Sequence, residues 1–431
     1  MSALTERRSR LSPRLGRVEI LRGVRGIASL LLCALPALFL LGQAGGDIAL
    51  STVAVLFLAR SALERSWAWL RTPWVGAGLL VWAYLIAIST FVAEASWASH
   101  ERALPFGRFV VFAAALQHWL LVDPRVRRGF LWCLAGVVAF VAIDTLIQYA
   151  FARDLLGRAA ERFRLTGPFT EKVAGAFLVH VSFPLIALAF AWAGQGEGWQ
   201  RLASVAAGTL VLGLAVALTG ERTALVMFGF GLLVLALLMP GLRRVLLISA
   251  LVFGVAVGGA IASSPTLFQR FIGHTTHDFT DFWDRRVGEL YLRGLEVWRD
   301  APVFGVGLKN FRRFCENEHF EPRGPVEDRC YTHPHHLYNE WLAETGLVGF
   351  TGFLALLVLW GRELIPRLRP GVADYALGLG ACIALLIFLW PLRPSMSFFS
   401  NWNGVLFWTI LGLTLATLAP RPPQKVLSPP S

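Results

Sequence analysis

Three of the chain's nine histidines fall within four positions, in the run Tyr331-Thr332-His333-Pro334-His335-His336-Leu337-Tyr338-Asn339-Glu340. Six of the nine lie between residues 264 and 345, the one long polar stretch of an apolar chain. Imidazole titrates closest to neutrality, so such a cluster has the right chemistry for a general base or a proton carrier. His333, His335, His336 and Glu340 also have the ligand types of a zinc site. Adjacent histidines on a helix point in different directions, however, and no second ligand cluster accompanies them, so base or binding roles come ahead of metal. Pro334 suits the first turn of a helix, which would put His335 and His336 at a helix N-terminus, where imidazolium is disfavoured. At i, i+4 spacing His335 then stacks with Asn339, and His336 with Glu340. A purely interfacial cluster is the plain alternative.

Arginines supply the complementary chemistry. Leu218-Thr219-Gly220-Glu221-Arg222-Thr223 joins two apolar runs with almost no loop, so Arg222 sits at the edge of the membrane. A cation there is costly and marks a functional candidate, with snorkelling to the interface as the alternative. Arg285 and Arg286 open a polar helix and form a further cationic point. The segment 151–173 holds Arg153, Arg158, Arg162, Arg164 and Lys172 against Asp154, Glu161 and Glu171. Fixed guanidinium groups suit an anionic ligand such as a lipid pyrophosphate. Anchoring to anionic lipid would also account for them.

The rest of the sequence is what must position these groups. It is 55% hydrophobic, with 16 Trp and 31 Phe. Apolar runs of about 17–25 residues, the length of a bilayer crossing, recur along it. The reading is an all-α polytopic membrane protein of about twelve transmembrane helices, near 26–43, 45–60, 74–92, 105–123, 129–151, 174–194, 202–219, 222–240, 243–263, 346–361, 374–391 and 398–419. The division is a basic cytoplasmic N-terminus (1–25), spans one to nine (26–263), an outside helical segment (264–345), spans ten to twelve (346–419) and a cytoplasmic tail (420–431). The short second span and the tight join after the seventh leave eleven open. With the N-terminus inside, Arg125, Arg127 and Arg128, then Arg243 and Arg244, then Arg362, Arg367 and Arg369 fall on the cytoplasmic side, as the positive-inside rule requires. Topology therefore accounts for the net charge of +12, and no nucleic-acid partner is implied.

The segment 264–345 carries 10 basic and 13 acidic residues. Within it Val287, Leu290, Tyr291, Leu295 and Trp298 recur at helical spacing, with Glu289, Arg293, Glu296 and Arg299 on other faces. This predicts an amphipathic helix ended near Pro302. Gly305-Val306-Gly307 lacks the surroundings of a phosphate loop and reads as a turn with no nucleotide role. Cys33, Cys133 and Cys382 fall in spans as packing residues, while Cys315 and Cys330 are placed to bridge in an oxidising compartment. Arg108 and Asp144, in the outer thirds of neighbouring spans, are expected to pair.

These residues carry a family resemblance. The segment Leu218-Thr219-Gly220-Glu221-Arg222-Thr223-Ala224-Leu225 is similar to LTGSRxAL. Arg286, Trp298 and Pro302-Val303-Phe304-Gly305-Val306-Gly307 are similar to R…W…PxxGxG. His333-Pro334-His335-His336-Leu337-Tyr338 with Leu342-Ala343-Glu344-Thr345-Gly346-Leu347 resembles HxHNxY…LAExGLxG. Arg164-Leu165-Thr166-Gly167-Pro168-Phe169 looks like the short outside motif before the sixth span. Together they resemble the O-antigen ligase/O-antigen polymerase superfamily over roughly 160–350. The resemblance implies a GT-C-like bundle in the bacterial inner membrane that transfers a glycan at the periplasmic face, without metal, nucleotide or other cofactor. The donor would be an undecaprenyl-pyrophosphate-linked glycan and the acceptor, in a ligase, lipid A-core. Arg222 and Arg286 match the paired arginines that would bind pyrophosphate. His335 matches the histidine that would deprotonate the acceptor hydroxyl. Arg162, Arg164, Arg285, His333, Tyr338 and Asn339 are the further substrate-binding candidates. Two departures stand out: His336 replaces the family's Asn, leaving both His335 and His336 as base candidates, and Glu221 replaces its Ser.

Ligase, chain-extending polymerase and protein O-oligosaccharyltransferase share these motifs. One compact outside segment favours the ligase. A polysaccharide or lipid transporter would need polar groups spread through its spans, and a non-catalytic binder would leave the paired arginines unexplained.

Overall fold

The computed structural model describes residues 13–161, 164–170, 174–196, 198–273, 276, 282–284, 286–315, 331–371 and 374–419. Among them the chain is helical, with two isolated β-bridges in the 153–164 loop and no strand. The main helices are α1 Pro13–Leu40, α2 Gln43–Glu64, α3 Pro73–Phe91, α4 Ser96–Ala115, α5 Pro124–Phe151, α6 Ala174–Val181, α7 Phe183–Gly194, α8 Trp199–Leu218, α9 Arg222–Leu238 and α10 Arg243–Ser263. After the polar helix α11, Arg286–Asp300, come α12 Leu337–Leu364, α13 Tyr375–Leu389 and α14 Asn401–Thr417.

Seven of these are long and apolar enough to cross a membrane, or eight if α6 and α7, bent by 49° at a one-residue break, form a single span. Pro184 lies just past that break and has no amide to donate, while the Ser182 hydroxyl donates to the Leu178 carbonyl at 2.6 Å. All twelve apolar runs expected from sequence lie on helices, but α9 and α13 are only 17 and 15 residues long.

Burial separates the helices by position. Along α14 every residue from Trp402 to Thr417 is buried, which makes it the centre of the bundle. Ring contacts knit it to α4 and α12: Phe109 stacks on Trp408 at 6.3 Å, and Trp360 meets Trp408 edge to face at 5.8 Å. Helix α10 buries only Leu246, Phe253 and Val257. An apolar helix with so little covered is suited to face lipid.

One expectation fails here. Arg108 pairs with Asp47 on α2 at 2.5 Å and with Asn401 at 3.2 Å, not with Asp144. Asp144 instead accepts the Leu155 amide at 2.8 Å, anchoring the 152–170 loop over the end of α5. Helix α11 forms where its periodicity placed it, and part of its polar side is covered. Its buried stripe is Glu289, Leu290, Arg293 and Val297, while Val287, Tyr291, Leu295 and Trp298 are partly exposed. Arg293 is only 1% exposed because its own helix supplies its counter-charges, Glu296 at 2.9 Å and Glu289 at 3.7 Å. Opposite charges at i, i+3 and i, i+4 let an arginine face inward.

Candidate functional site

The site is assembled from three connections at one end of the bundle. The first is the α8–α9 join. Gly220, at φ 69, turns the chain, and Arg222 is the first residue of α9. The Thr219 carbonyl accepts the Leu165 amide at 3.2 Å, and the Gly220 carbonyl accepts Arg270 Nε at 3.0 Å. Glu221 is therefore enclosed between the 164–170 loop, the start of α6 and the turn after α10. A Cβ on Gly175 would lie 3.3 Å from its Oε2. Burial raises the Glu221 carboxyl to about 7, against the opposing pull of Arg164, the Ala176 amide, Arg393 and Arg270.

The second connection is the 390–400 loop between α13 and α14, which carries Arg393. One guanidinium nitrogen donates to the Phe388 carbonyl at 3.2 Å, and the group lies 6.0 Å from the centre of the Phe388 ring. His180 of α6 stacks on that ring at 3.9 Å. Burial lowers the Arg393 guanidinium to about 10, opposed by Glu221 and Tyr291. Sequence reasoning missed this residue. Its only signal was a lone arginine in a short loop on the side that should be poor in basic residues.

The third is the histidine loop. It does not begin the helix as expected. His335 has φ 51, in the left-handed region, and His336 is the N-cap of α12. The Ser395 amide donates to the His335 carbonyl at 2.8 Å, which holds the chain out of the helix before the cap. The i, i+4 pairings of His335 with Asn339 and His336 with Glu340 are therefore replaced by other contacts. The Asn339 amide donates to His336 Nδ1 at 3.2 Å, and His336 Nε2 donates to the Pro391 carbonyl at 2.7 Å. Those two bonds fix the neutral tautomer and occupy both ring nitrogens. Burial holds the His336 ring below its ordinary value, with the bond to Pro391 opposing.

His333 is similarly engaged, with Nδ1 3.0 Å from the Thr332 hydroxyl and Nε2 donating to the Ser395 carbonyl at 3.2 Å. His335 stacks on Tyr331 at 4.9 Å and meets the His333 ring at a tilt, with centroids 4.3 Å apart. Glu340 accepts the Phe398 amide at 2.8 Å. With His333, His336 and Glu340 so committed, the four do not form a zinc ligand set. Among the described residues no group of three or more His, Cys, Asp or Glu is arranged to hold a metal ion.

The 390–397 segment thus bonds to all three histidines through Pro391 and Ser395, while its Arg393 acts on Glu221 beside Arg222. Helix α11 closes the arrangement. Arg286 is the first residue of α11. Tyr291 meets His336 ring edge to face at 4.7 Å, and Asn339 Nδ2 donates to the Tyr291 carbonyl at 2.7 Å. The bare backbone of Gly294 admits Asn339, since a Cβ there would lie 2.6 Å from its side chain. Tyr338 donates to the Leu389 carbonyl at 2.7 Å, which ties α12 to the end of α13.

Gly305-Val306-Gly307 is a turn, as expected, and its work is structural. Val306 and Gly307 donate to the carbonyls of Ala343 and Glu344 at 3.0 and 2.9 Å. Leu347 donates to Pro302 at 2.9 Å, across a kink at Gly346 with φ 63. A Cβ on Gly305 would lie 2.5 Å from the backbone of α12. Two motifs forty residues apart in sequence are therefore one interlocked crossing, and it sets the height of α12 and its cap.

Arg164 is exposed in its loop and reaches the site through its field at Glu221. Arg162, Arg285 and Cys330 lie outside the described residues, and with Cys330 goes the expected bridge to Cys315.

Residues 207–354 match the family described as Wzy_C: O-Antigen ligase. The matched stretch runs from α8 through the α8–α9 join, α11 and the histidine loop into α12, and it agrees with the resemblance carried by the motifs. It supports a membrane glycosyltransferase of the O-antigen ligase or polymerase type, a class that acts on lipid-linked polysaccharide. No curated protein matches the chain.

Proposed function

We propose that this protein is an O-antigen ligase of the bacterial inner membrane. It moves polysaccharide from undecaprenyl pyrophosphate to lipid A-core at the periplasmic face, in a bundle of about twelve spans. One observation carries the reading most: the loop that bonds to the histidines also carries Arg393, whose field acts on Glu221 next to Arg222. A base and an anion site are thereby linked through a few residues.

In this reaction the acceptor hydroxyl attacks the anomeric carbon of the donor sugar. The new glycosidic bond forms as the bond to the pyrophosphate oxygen breaks. His335 takes the hydroxyl proton, and Arg222 and Arg286 stabilise the negative charge that develops on the departing pyrophosphate. His335 takes this role because it matches the histidine of the resembling motif, while His336 holds the loop and the helix cap. Tyr338, Asn339 and His333 act as positioning residues, through their bonds to Leu389, Tyr291 and Ser395. Arg162, Arg164 and Arg285 add positive charge around the donor. No step is assigned to a metal or nucleotide.

The test is to supply purified protein with labelled undecaprenyl-pyrophosphate glycan and three acceptors: lipid A-core, a growing glycan and a protein. Label on lipid A-core supports the ligase. Label on the growing glycan makes the chain a polymerase, and label on the protein makes it an oligosaccharyltransferase.

A further inference from the structure

The loop that ties the histidines to the bundle presents a cation beyond the paired arginines. We propose that Arg393 is a further anion-binding residue, which takes a phosphate oxygen of the donor's head group, with Glu221 as the resident counter-charge that the phosphate replaces. The proposal rests on the reading of the site as one for a pyrophosphate-linked donor.

Arg393 does not behave as a snorkelling arginine. Its Nε is enclosed by protein and has no hydrogen-bond partner among the described residues. The guanidinium is held in place from one side, by the Phe388 carbonyl at 3.2 Å and the Phe388 ring. A fixed guanidinium with an enclosed, unused donor has the form of an anion site awaiting an acceptor. Glu221 is its counterpart, since Oε2 is also enclosed and without a partner among the described residues. The fields of the two groups act on each other, and those of Arg164 and Arg270 act on Glu221 as well.

A phosphate brings more charge and more acceptor oxygens than the Glu221 carboxylate does. Because burial already raises Glu221 to about 7, it takes up a proton readily when a stronger anion arrives. The competing account is a purely structural pair that fastens the α8–α9 join to the 390–400 loop. That account predicts lost stability with no change in donor recognition.

The experiment measures KM for donor and for acceptor, together with inhibition by inorganic pyrophosphate, in the full-length protein. Arg393→Gln should raise the donor KM and the half-inhibiting pyrophosphate concentration about tenfold, the worth of one charge-assisted hydrogen bond. Acceptor KM should not move, and Arg393→Lys should fall between Gln and parent. Glu221→Gln should lower the half-inhibiting concentration in the parent and leave it unchanged in Arg393→Gln. Unchanged donor KM and pyrophosphate inhibition in Arg393→Gln would overturn the proposal, whatever its melting temperature. Should Arg393→Gln fail to insert, Glu221→Gln decides alone, and no change in pyrophosphate inhibition overturns it. If the parent transfers no glycan, the ligase reading fails separately. Protection of the parent against thermal unfolding by inorganic pyrophosphate, weakened in Arg393→Lys, would then support the proposal, and its absence in the parent would overturn it.

Discussion

The amide of Asn339 donates to Nδ1 of His336 at 3.2 Å, so an imidazole caps α12 where Asn, Ser or Asp ordinarily does so. His336 stands where the resembling family has Asn, and the cap shows how the two can exchange. An Asn side-chain oxygen and a neutral imidazole nitrogen can accept the same amide. His336→Asn should therefore keep the melting temperature of the parent, whereas His336→Ala should cost about 1 kcal/mol, the usual worth of an N-cap. Thermal unfolding in detergent measures both, and equal losses in the two variants would remove the cap from the account.

The crossing of Gly305 and Gly346 gives a second prediction. Both residues have positive φ, 70 and 63, and a Cβ on either would lie about 2.5 Å or less from facing backbone. Left-handed backbone costs a residue with a Cβ roughly 1–2 kcal/mol before any clash is counted. Gly305→Ala and Gly346→Ala should each lower stability by more than that. Melting temperatures equal to the parent would show that the crossing is looser than described.

How much of this could be read beforehand varied with the physics involved. The histidine block and Arg222 were legible because composition and spacing alone set them apart. The cap was not, because helix-start rules favour Pro334 at the first turn and do not anticipate His as an N-cap. Apolar periodicity found α11 but did not tell which face the bundle covers. Glu289 and Glu296 neutralise Arg293 within the helix and Gly294 admits Asn339, so the polar stripe turns inward. Arg393 was invisible as a lone arginine in a short loop, since only the meeting of three connections gives it meaning. Arg108 was paired with Asp144 by depth in the membrane, and depth does not reveal that α2 lies against α4.

Glu221 should make stability depend on pH in a definite direction. Burial raises its folded-state value from the ordinary 4.5 to about 7. The folded protein then binds the proton more tightly than the unfolded chain does. The stability this contributes is full below about pH 4.5 and is lost as pH rises through about 7. Glu221→Gln cannot ionise, so it should lose less stability than the parent between about pH 5 and about pH 8. Parallel melting curves for the two proteins over that range would contradict the enclosed carboxyl.

The paired arginines predict a charge effect and a geometry effect. Arg222→Ala and Arg286→Ala should each abolish transfer while the protein still inserts, because charge-assisted contacts to pyrophosphate are lost. Lysine should rescue poorly, since an ammonium lacks the planar fork of guanidinium. Transfer assays on membranes with matched protein levels read both effects, and near-parental activity in the two alanine variants would take these residues out of the mechanism.

The central claim is that His335 carries the proton and His336 carries the structure. Its most direct measurement is the single-turnover rate of glycan transfer to lipid A-core in His335→Ala beside His336→Asn, at saturating donor. The predicted result is a loss of roughly 10²–10⁴-fold for His335→Ala, the usual worth of a positioned base. Donor binding should be retained there, and His336→Asn should turn over at close to the parental rate. A His335→Ala variant that transfers at the parental rate, or a His336→Asn variant that loses as much as His335→Ala, would contradict the claim.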